Sequence, residues 1–230
     1  MELIETLRTT GAAREFLPDP VPDEVVHRVL DTARFAPSGG NRQGWRVIVV
    51  KDAPRRRSLR DLYLDGWYQY LAISGAGLVP WAPVTDRAAE SAAAEGADGL
   101  REAAAAGPGG FAEHLDEVPV LLVLCADLRV LAAVDRDLPR YTMAGGASIY
   151  PFAWNLLLAA RAEGLAGVMT TMLIRQEAEV RRLLGLPEEV IVAGVLALGR
   201  PARVARRLTR RPVEEFATVD SFDGPPLTGR

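Results

Sequence analysis

Apolar residues recur along this chain in distinct rhythms, and each rhythm marks a different kind of element. Between Pro22 and Ala36, the positions Val25, Val26, Val29, Leu30 and Ala33 fall at helical spacing and give one buried face. Asp23 and Glu24 occupy the first turn, where the helix dipole favours negative charge, and Pro22 suits the opening of the helix. His27 lies off the apolar face, a solvated position. Residues 118–126 and 189–198 are nearly continuous apolar runs of strand length, the pattern of strands buried on both faces. Residues 45–50, rich in β-branched side chains, read as another strand, and 167–172 as a short strand-like run. Further helices are expected over 2–9, ended by Gly11, and over 53–63, with Arg55, Arg56 and Arg57 facing solvent. Two more follow over 149–163, ended by Gly164, and over 176–184, with Gly185 and Pro187 beyond the end.

Two stretches differ in texture. Residues 88–106 hold ten alanines among nineteen residues, interleaved with charges and interrupted by Gly96 and Gly99. This composition predicts one or two helices inside a variable insertion over about 66–110, either a mobile lid or a solvated appendage. Trp67, Tyr68, Tyr70 and Trp81 either roof a substrate pocket there or pack the insertion. Residues 200–230 form a polar, proline-containing arm. No internal repeat or linker divides the chain, so a single α+β domain over 1–230 is the economical organisation.

Composition narrows the function classes. The 230 residues are 49% hydrophobic and 25% charged, with a net charge of −3, which fits a globular protein and argues against a uniformly basic nucleic-acid binder. One cysteine, Cys125, excludes an internal disulfide, and only two histidines, His27 and His114, exclude a histidine-rich metal centre. Cys125 reads as an inert buried thiol, and His114 as structural rather than catalytic. No apolar segment has signal-peptide or membrane-span character, so the expectation is a cytoplasmic protein that binds neither membrane nor nucleic acid. Of 27 basic residues all but Lys51 are arginine, a skew that resembles coding bias and discounts each arginine as a ligand.

Common catalytic signatures are missing: no phosphate-binding G-x-x-x-x-G-K-[ST], no G-x-G-x-x-G after a strand, no G-x-S-x-G elbow. Acid–base residues are so sparse that a bound cofactor carrying the chemistry becomes the better expectation, with no catalytic side chain and no metal. Ser38, Gly39, Asn41 and Gln43, in the loop joining a helix to a strand, offer a hydroxyl, main-chain N–H groups and amides to a carbonyl-rich or anionic ligand. Gly167, Val168 and Met169 either admit a flat ring to the backbone or pack the core. Arg200, Arg203, Arg206, Arg207, Arg210 and Arg211 are ready partners for a phosphate.

Several segments taken in order resemble the FMN-dependent nitroreductase family. They are Thr9-Thr10-Gly11-Ala12-Ala13-Arg14-Glu15-Phe16, the run from Ala36-Pro37-Ser38-Gly39-Gly40-Asn41 to Gln43-Gly44-Trp45, Asn155-Leu156-Leu157-Leu158-Ala159-Ala160-Arg161, Leu184-Gly185-Leu186-Pro187, and Arg210-Arg211-Pro212. The resemblance implies an α+β fold with a central mixed or antiparallel sheet flanked by helices, in an intertwined homodimer with FMN at the subunit interface. It implies an NAD(P)H-dependent oxidoreductase that passes a hydride to flavin N5 and then reduces a nitroaromatic, quinone or related small organic acceptor by a ping-pong mechanism. By position, Arg14 would touch the flavin ring or ribityl chain, and Ser38, Gly39 and Asn41 would reach it from the other subunit. Gly167, Val168 and Met169 would lie near N5, and Arg210 with Arg211 would hold the phosphate.

Two positions depart from the family pattern. Gly11 and Ala12 stand where relatives carry phosphate-contacting arginine or serine, and Arg8, one turn earlier, is the candidate substitute. Gly44 replaces the usual proline before the tryptophan. Two other functions stay open at this level: the same fold using a deazaflavin or acting on flavin itself, and a non-catalytic protein binding an acidic partner through its arginine-rich arm.

Overall fold

The computed structural model describes residues 2–203 and 208–229, so Arg206 and Arg207 lie outside the described residues. Four strands form one sheet: β1 (Trp45–Val49), β2 (Val120–Asp127), β3 (Ala166–Thr170) and β4 (Val190–Gly199). Their spatial order is β1-β2-β4-β3, and every neighbouring pair is antiparallel. The helices are α1 (Leu3–Thr9), α2 (Asp23–Ala33), α3 (Ala53–Gly75), α4 (Arg87–Ala94), α5 (Ala97–Ala105), α6 (Tyr150–Ala162) and α7 (Glu177–Leu184). The α+β reading holds, in its antiparallel form.

The apolar runs explain the layering. Every residue of β2 is buried, as is all of β4 but one half-buried position. On one face Leu122, Leu124, Leu196 and Leu198 pack with α2 and α6, and Trp45 stacks on Phe152 at 4.7 Å. On the other face Leu121, Val123, Cys125, Val195 and Ala197 pack with α3 and α7. Each such side chain removed from water contributes about 1.5–3 kcal/mol, so the two central strands anchor both cores. A register shift at Leu124/Cys125 lets β4 change which side chains face which layer without leaving the ladder. Burial pushes the Cys125 thiol up to about 11, in keeping with an inert core residue.

Three local expectations need correction. The helix expected over 53–63 continues to Gly75, because Gly66 does not break it: a Cβ there would lie 2.9 Å from the Met172 sulfur, so the bare backbone is a packing surface. Tyr68 and Ile73, placed in the insertion by sequence, are therefore buried parts of α3. Arg56 does not face solvent with Arg55 and Arg57. Its guanidinium turns inward onto the Val118 carbonyl, and burial lowers its pKa. The alanine-rich stretch forms two helices, α4 and α5, and neither contains a buried residue. His114 ties its own loop, with Nε2 2.8 Å from the Pro108 carbonyl and Nδ1 3.2 Å from Glu117.

Glycines divide by what surrounds them. A Cβ on Gly167 would meet Leu198 Cδ2 at 2.4 Å and the Ala197 carbonyl at 2.6 Å, whereas one on Gly99, inside α5, would meet nothing within 4 Å. Gly167→Ala is expected to destabilise the fold by about 1–3 kcal/mol through overpacking. Gly99→Ala should stabilise it by about 0.5–1 kcal/mol through helix propensity. Urea denaturation of both variants checks this; equal midpoints would contradict the packing described for β3.

Candidate functional site

The sequence-derived site residues fall into two groups at opposite ends of the sheet. Gly167 pairs with Leu198, which pairs with Val120, so these three share one row; Trp45 pairs with Ala126 at the far end. Six residues of β2 separate the rows, roughly 20 Å at strand rise. Ser38, Gly39, Asn41 and Gln43 lie just before Trp45, at the second end. Arg14 lies at the first, beside Gly167. One chain does not bring the two groups together.

The loop before β1 is preformed. The Ser38 hydroxyl accepts from the Gln43 N–H at 3.0 Å, Gln43 Nε2 donates to Asn41 Oδ1 at 3.1 Å, and the Gly39 N–H donates to buried Ser148 at 3.0 Å. Gly40, Asn41 and Gln43 all have φ between 52° and 60°, a left-handed run that is costly for Gln43. The exit is fixed from behind: the Asp127 N–H donates to the Gly44 carbonyl at 2.8 Å. The Asp127 carboxylate in turn accepts from the Arg129 side chain at 2.7 and 2.9 Å, which holds its pKa down to about 2. The loop thus presents Ser38, Asn41 and Gln43 outward on a rigid support.

At the other end, residues 13–17 are tied to both edge elements. The Ala13 N–H donates to the Gly167 carbonyl at 2.9 Å, the Leu17 N–H to Arg200 at 2.8 Å, and Phe16 bridges Pro201. Between these anchors Arg14 is exposed. β3 is an edge strand, and the Gly167 carbonyl points outward to Ala13. The two-residue period gives Met169 the same outward main-chain orientation. Val168 is buried in the α3 side of the core, and its main-chain groups face β4, so it offers a ligand at this edge no polar group. Tyr63 is buried behind the strand with its hydroxyl 3.2 Å from Thr170, and desolvation raises its pKa.

Two adjoining cavities open beside this edge and share Thr9 and Thr10. The first, about 210 Å³, is lined by residues 9–13, Arg161, Gly167 and Arg203; the second, about 930 Å³, by Arg8, Trp154, Thr209 and Arg210 among others. Arg161 holds the end of α1, donating to the Thr9 carbonyl at 2.7 Å and its hydroxyl at 2.6 Å. Arg203 lies 3.8 Å from Glu15. Among the described residues, Arg8, Arg14, Arg210 and Arg211 pair with no carboxylate. Sequence reasoning named Arg8 and Arg210 but missed Arg161, Thr9 and Trp154. The available signal was an arginine closing the otherwise apolar helix over 149–163.

A match to the nitroreductase family spans residues 7–200. The chain belongs to that family. A protein of Thermus thermophilus described as an NADH dehydrogenase is 30% identical over 87% of both chains, and an FMN reductase [NAD(P)H] of Bacillus subtilis is 23% identical over 96% of this chain and 74% of its own. The fold is also that of an NADPH:FMN oxidoreductase from Vibrio harveyi, with a TM-score of 0.65, 21% identity, and coverage of 95% of this chain and 77% of the other. Among the described residues of this nitroreductase-family chain, no group of three or more His, Cys, Asp or Glu could hold a metal ion. Nor is any described helix long and apolar enough to cross a membrane.

The support beneath the loop predicts an acid response. Asp127 is held well below the usual carboxylate value near 4, so its stabilising contribution is present above about pH 4 and is lost as pH falls towards 2. Asp127→Asn should lower stability at neutral pH and flatten the stability curve between about pH 4 and 2. Parallel curves for the two proteins would show that Asp127 does not carry this contribution.

Proposed function

We propose that this chain is an NAD(P)H-dependent FMN oxidoreductase working as a homodimer, with each flavin held between two copies. One observation carries the reading: an arginine-lined crevice at Arg8 and Arg210, with no carboxylate in its lining, adjoins the cavity lined by Gly167 of the edge strand β3. The donor set fits FMN. Arg8 and Arg210, with Arg211 nearby in sequence, hold the phosphate that Gly11 and Ala12 have no side chains to bind. Arg14 stands towards the ring end, and the outward main-chain groups of Met169, with the Gly167 N–H beside the carbonyl that Ala13 engages, meet the ring edge. Ser38, Gly39, Asn41 and Gln43 come from the partner, since in their own chain they lie roughly 20 Å away.

Several surfaces support a second copy. Leu3, Ile4 and Leu7 make an apolar face on α1 that stands exposed among the described residues, and Tyr150 and Trp154 are exposed one turn apart on α6. Phe216 and Phe222 stand exposed in the arm. Among the described residues, the hydrogen bonds of 212–227 all stay within that segment, as expected of an arm that packs on another molecule. The proposed organisation is one domain with the α4–α5 insertion and this arm, in the cytoplasm.

Bound FMN supplies a centre that accepts two electrons from NAD(P)H and delivers them to a nitroaromatic, quinone or similar acceptor, in turn and in one place. The chain's work is positional and electrostatic. The Arg14 guanidinium supplies positive charge at the ring, where negative charge accumulates on reduction. The loop around Ser38, prepaid in left-handed strain, offers its donors without reorganisation. No side-chain acid of suitable burial faces the crevice among the described residues, so the proton comes from solvent or the cofactor.

Purified protein should therefore take up FMN, turn yellow, and bleach with NAD(P)H. It should bind FMN more tightly than riboflavin by roughly ten- to hundredfold, the worth of charge-assisted bonds to the phosphate. In the Arg8→Ala/Arg210→Ala double variant that preference should vanish while riboflavin binding is unchanged. Titration of tryptophan fluorescence with both flavins measures it. An undiminished preference in the double variant would remove these arginines from the site, and failure of wild-type protein to bind either flavin would overturn the function.

A further inference from the structure

A separate cavity, of about 540 Å³, lies where the insertion meets the body, and the flavin reading makes no use of it. It is bounded by α3, the loop before α4, α4 itself, Tyr141, and the turn Met172–Gln176 that follows β3. Two guanidinium groups reach it from separate segments. Arg87, at the start of α4, donates to the Tyr141 hydroxyl, and Arg175 lies over the Trp81 ring, 4.8 Å from its centroid. Neither is within ion-pair distance of a carboxylate among the described residues. The one carboxylate in the lining, Glu90, is engaged by the Trp81 N–H.

Trp81 is the unusual element. Its φ is 54°, a conformation that a bulky side chain rarely adopts, and it sits between Pro80 and Pro83 in a loop otherwise free to avoid it. The strain fixes the indole at the end of an aromatic row. Tyr63 and Trp67 lie 6.4 Å apart, Trp67 and Tyr70 stack at 5.6 Å, and Tyr70 meets Trp81 at 6.2 Å. That row starts at Tyr63, which touches Thr170 at the end of β3, and finishes in the cavity. The cavity thus combines the Trp81 indole, Ile73, Ala82 and Ala94 with two guanidinium groups against one carboxylate, Glu90, and with the hydroxyl groups of Ser91 and Tyr141, which leaves its lining net positive. Such a surface suits a planar molecule carrying an oxyanion: the guanidinium forks bind the charge and the apolar side chains take the ring.

We infer that this cavity recognises a carboxylate or phosphate on a planar small molecule. Two sources have that chemistry, an aromatic acid acting as electron acceptor and the 2′-phosphate half of NADPH. The ownership of the anion rests on the oxidoreductase reading, but the binding itself does not. Arg87 and Arg175 are then specificity-determining residues and take no part in flavin retention.

Calorimetric titration of the purified full-length protein with 4-nitrobenzoate, nitrobenzene and 2′,5′-ADP tests this directly, without turnover. At least one of the two anions should bind at least about tenfold more tightly than nitrobenzene, and Arg87→Gln should weaken that anion by about tenfold, with Arg87→Lys partly restoring it. Arg175, not Arg87, lies over the Trp81 ring, so Arg87→Gln remains interpretable even if Arg175→Gln perturbs the loop. Tight binding of 4-nitrobenzoate alone assigns the cavity to an acidic acceptor; tight binding of 2′,5′-ADP alone assigns it to NADPH. Equal affinity for neutral and anionic probes, or an Arg87→Gln variant that binds the anion like wild type, overturns the proposal. FMN affinity measured on the same variants should not move, which separates this outcome from a failure of the flavin site.

Discussion

The burial of β2 and β4 on both faces is the constraint from which the rest of the structure follows. Strands that are apolar throughout must be covered twice, and here α2 and α6 cover one face while α3 and α7 cover the other. With both faces occupied, polar ligand-binding groups have room only at the sheet's ends and along its open edge. The length of β2 then separates the two ends by roughly 20 Å. Arg14 is committed to one end by its hydrogen-bonded neighbours, and the Ser38 loop to the other by Ser148 and Asp127. A ligand touching both groups requires a second molecule.

Electrostatics sorts the many arginines by the same logic. Arg28, Arg60, Arg129 and Arg140 are paired with Glu163, Asp116, Asp127 and Asp135 and stitch surface segments together. Such pairs are worth little individually where they are exposed, though the one on buried Asp127 fixes a chain path. Among the described residues, Arg8, Arg14 and Arg210 have no carboxylate partner. A coding bias accounts for the abundance of arginine but not for this placement. That positive charge, beside two adjoining cavities, is what the proposed phosphate site rests on.

Legibility in the sequence followed how local each cause is. The strands and α2 were readable because apolar spacing is itself their cause, and the Gly185 helix stop because a left-handed cap needs glycine. α3 was misjudged because Gly66 serves a distant partner, Met172, that spacing along the chain cannot reveal. Gly167 was ambiguous for a similar reason: its small size is demanded by Leu198 and Ala197 across the ladder, whatever ligand its backbone meets. Arg56 read as one of three surface arginines, yet the Val118 carbonyl turns it inward. The site residues were recognisable as loop chemistry, but their division between two ends of the sheet depends on register, which a single sequence does not print. Arg161 went unassigned because its partners lie more than a hundred positions away, and Trp81 stayed open between a pocket and a packing role because its placement depends on a backbone conformation that spacing does not show.

The composite site is tested most directly by pairing two defective chains. Arg14→Ala removes a group from one half of each site, and Asn41→Ala removes a group from the other half. With distinct affinity tags on the two variants, mixed dimers can be isolated after dissociation and reassociation, and their FMN content measured by absorbance. A site shared between copies predicts that each variant alone retains FMN weakly. The mixed pair regains one intact site, binding about one FMN per two chains with near wild-type affinity. Mixed pairs that bind no better than either parent would contradict the composite site.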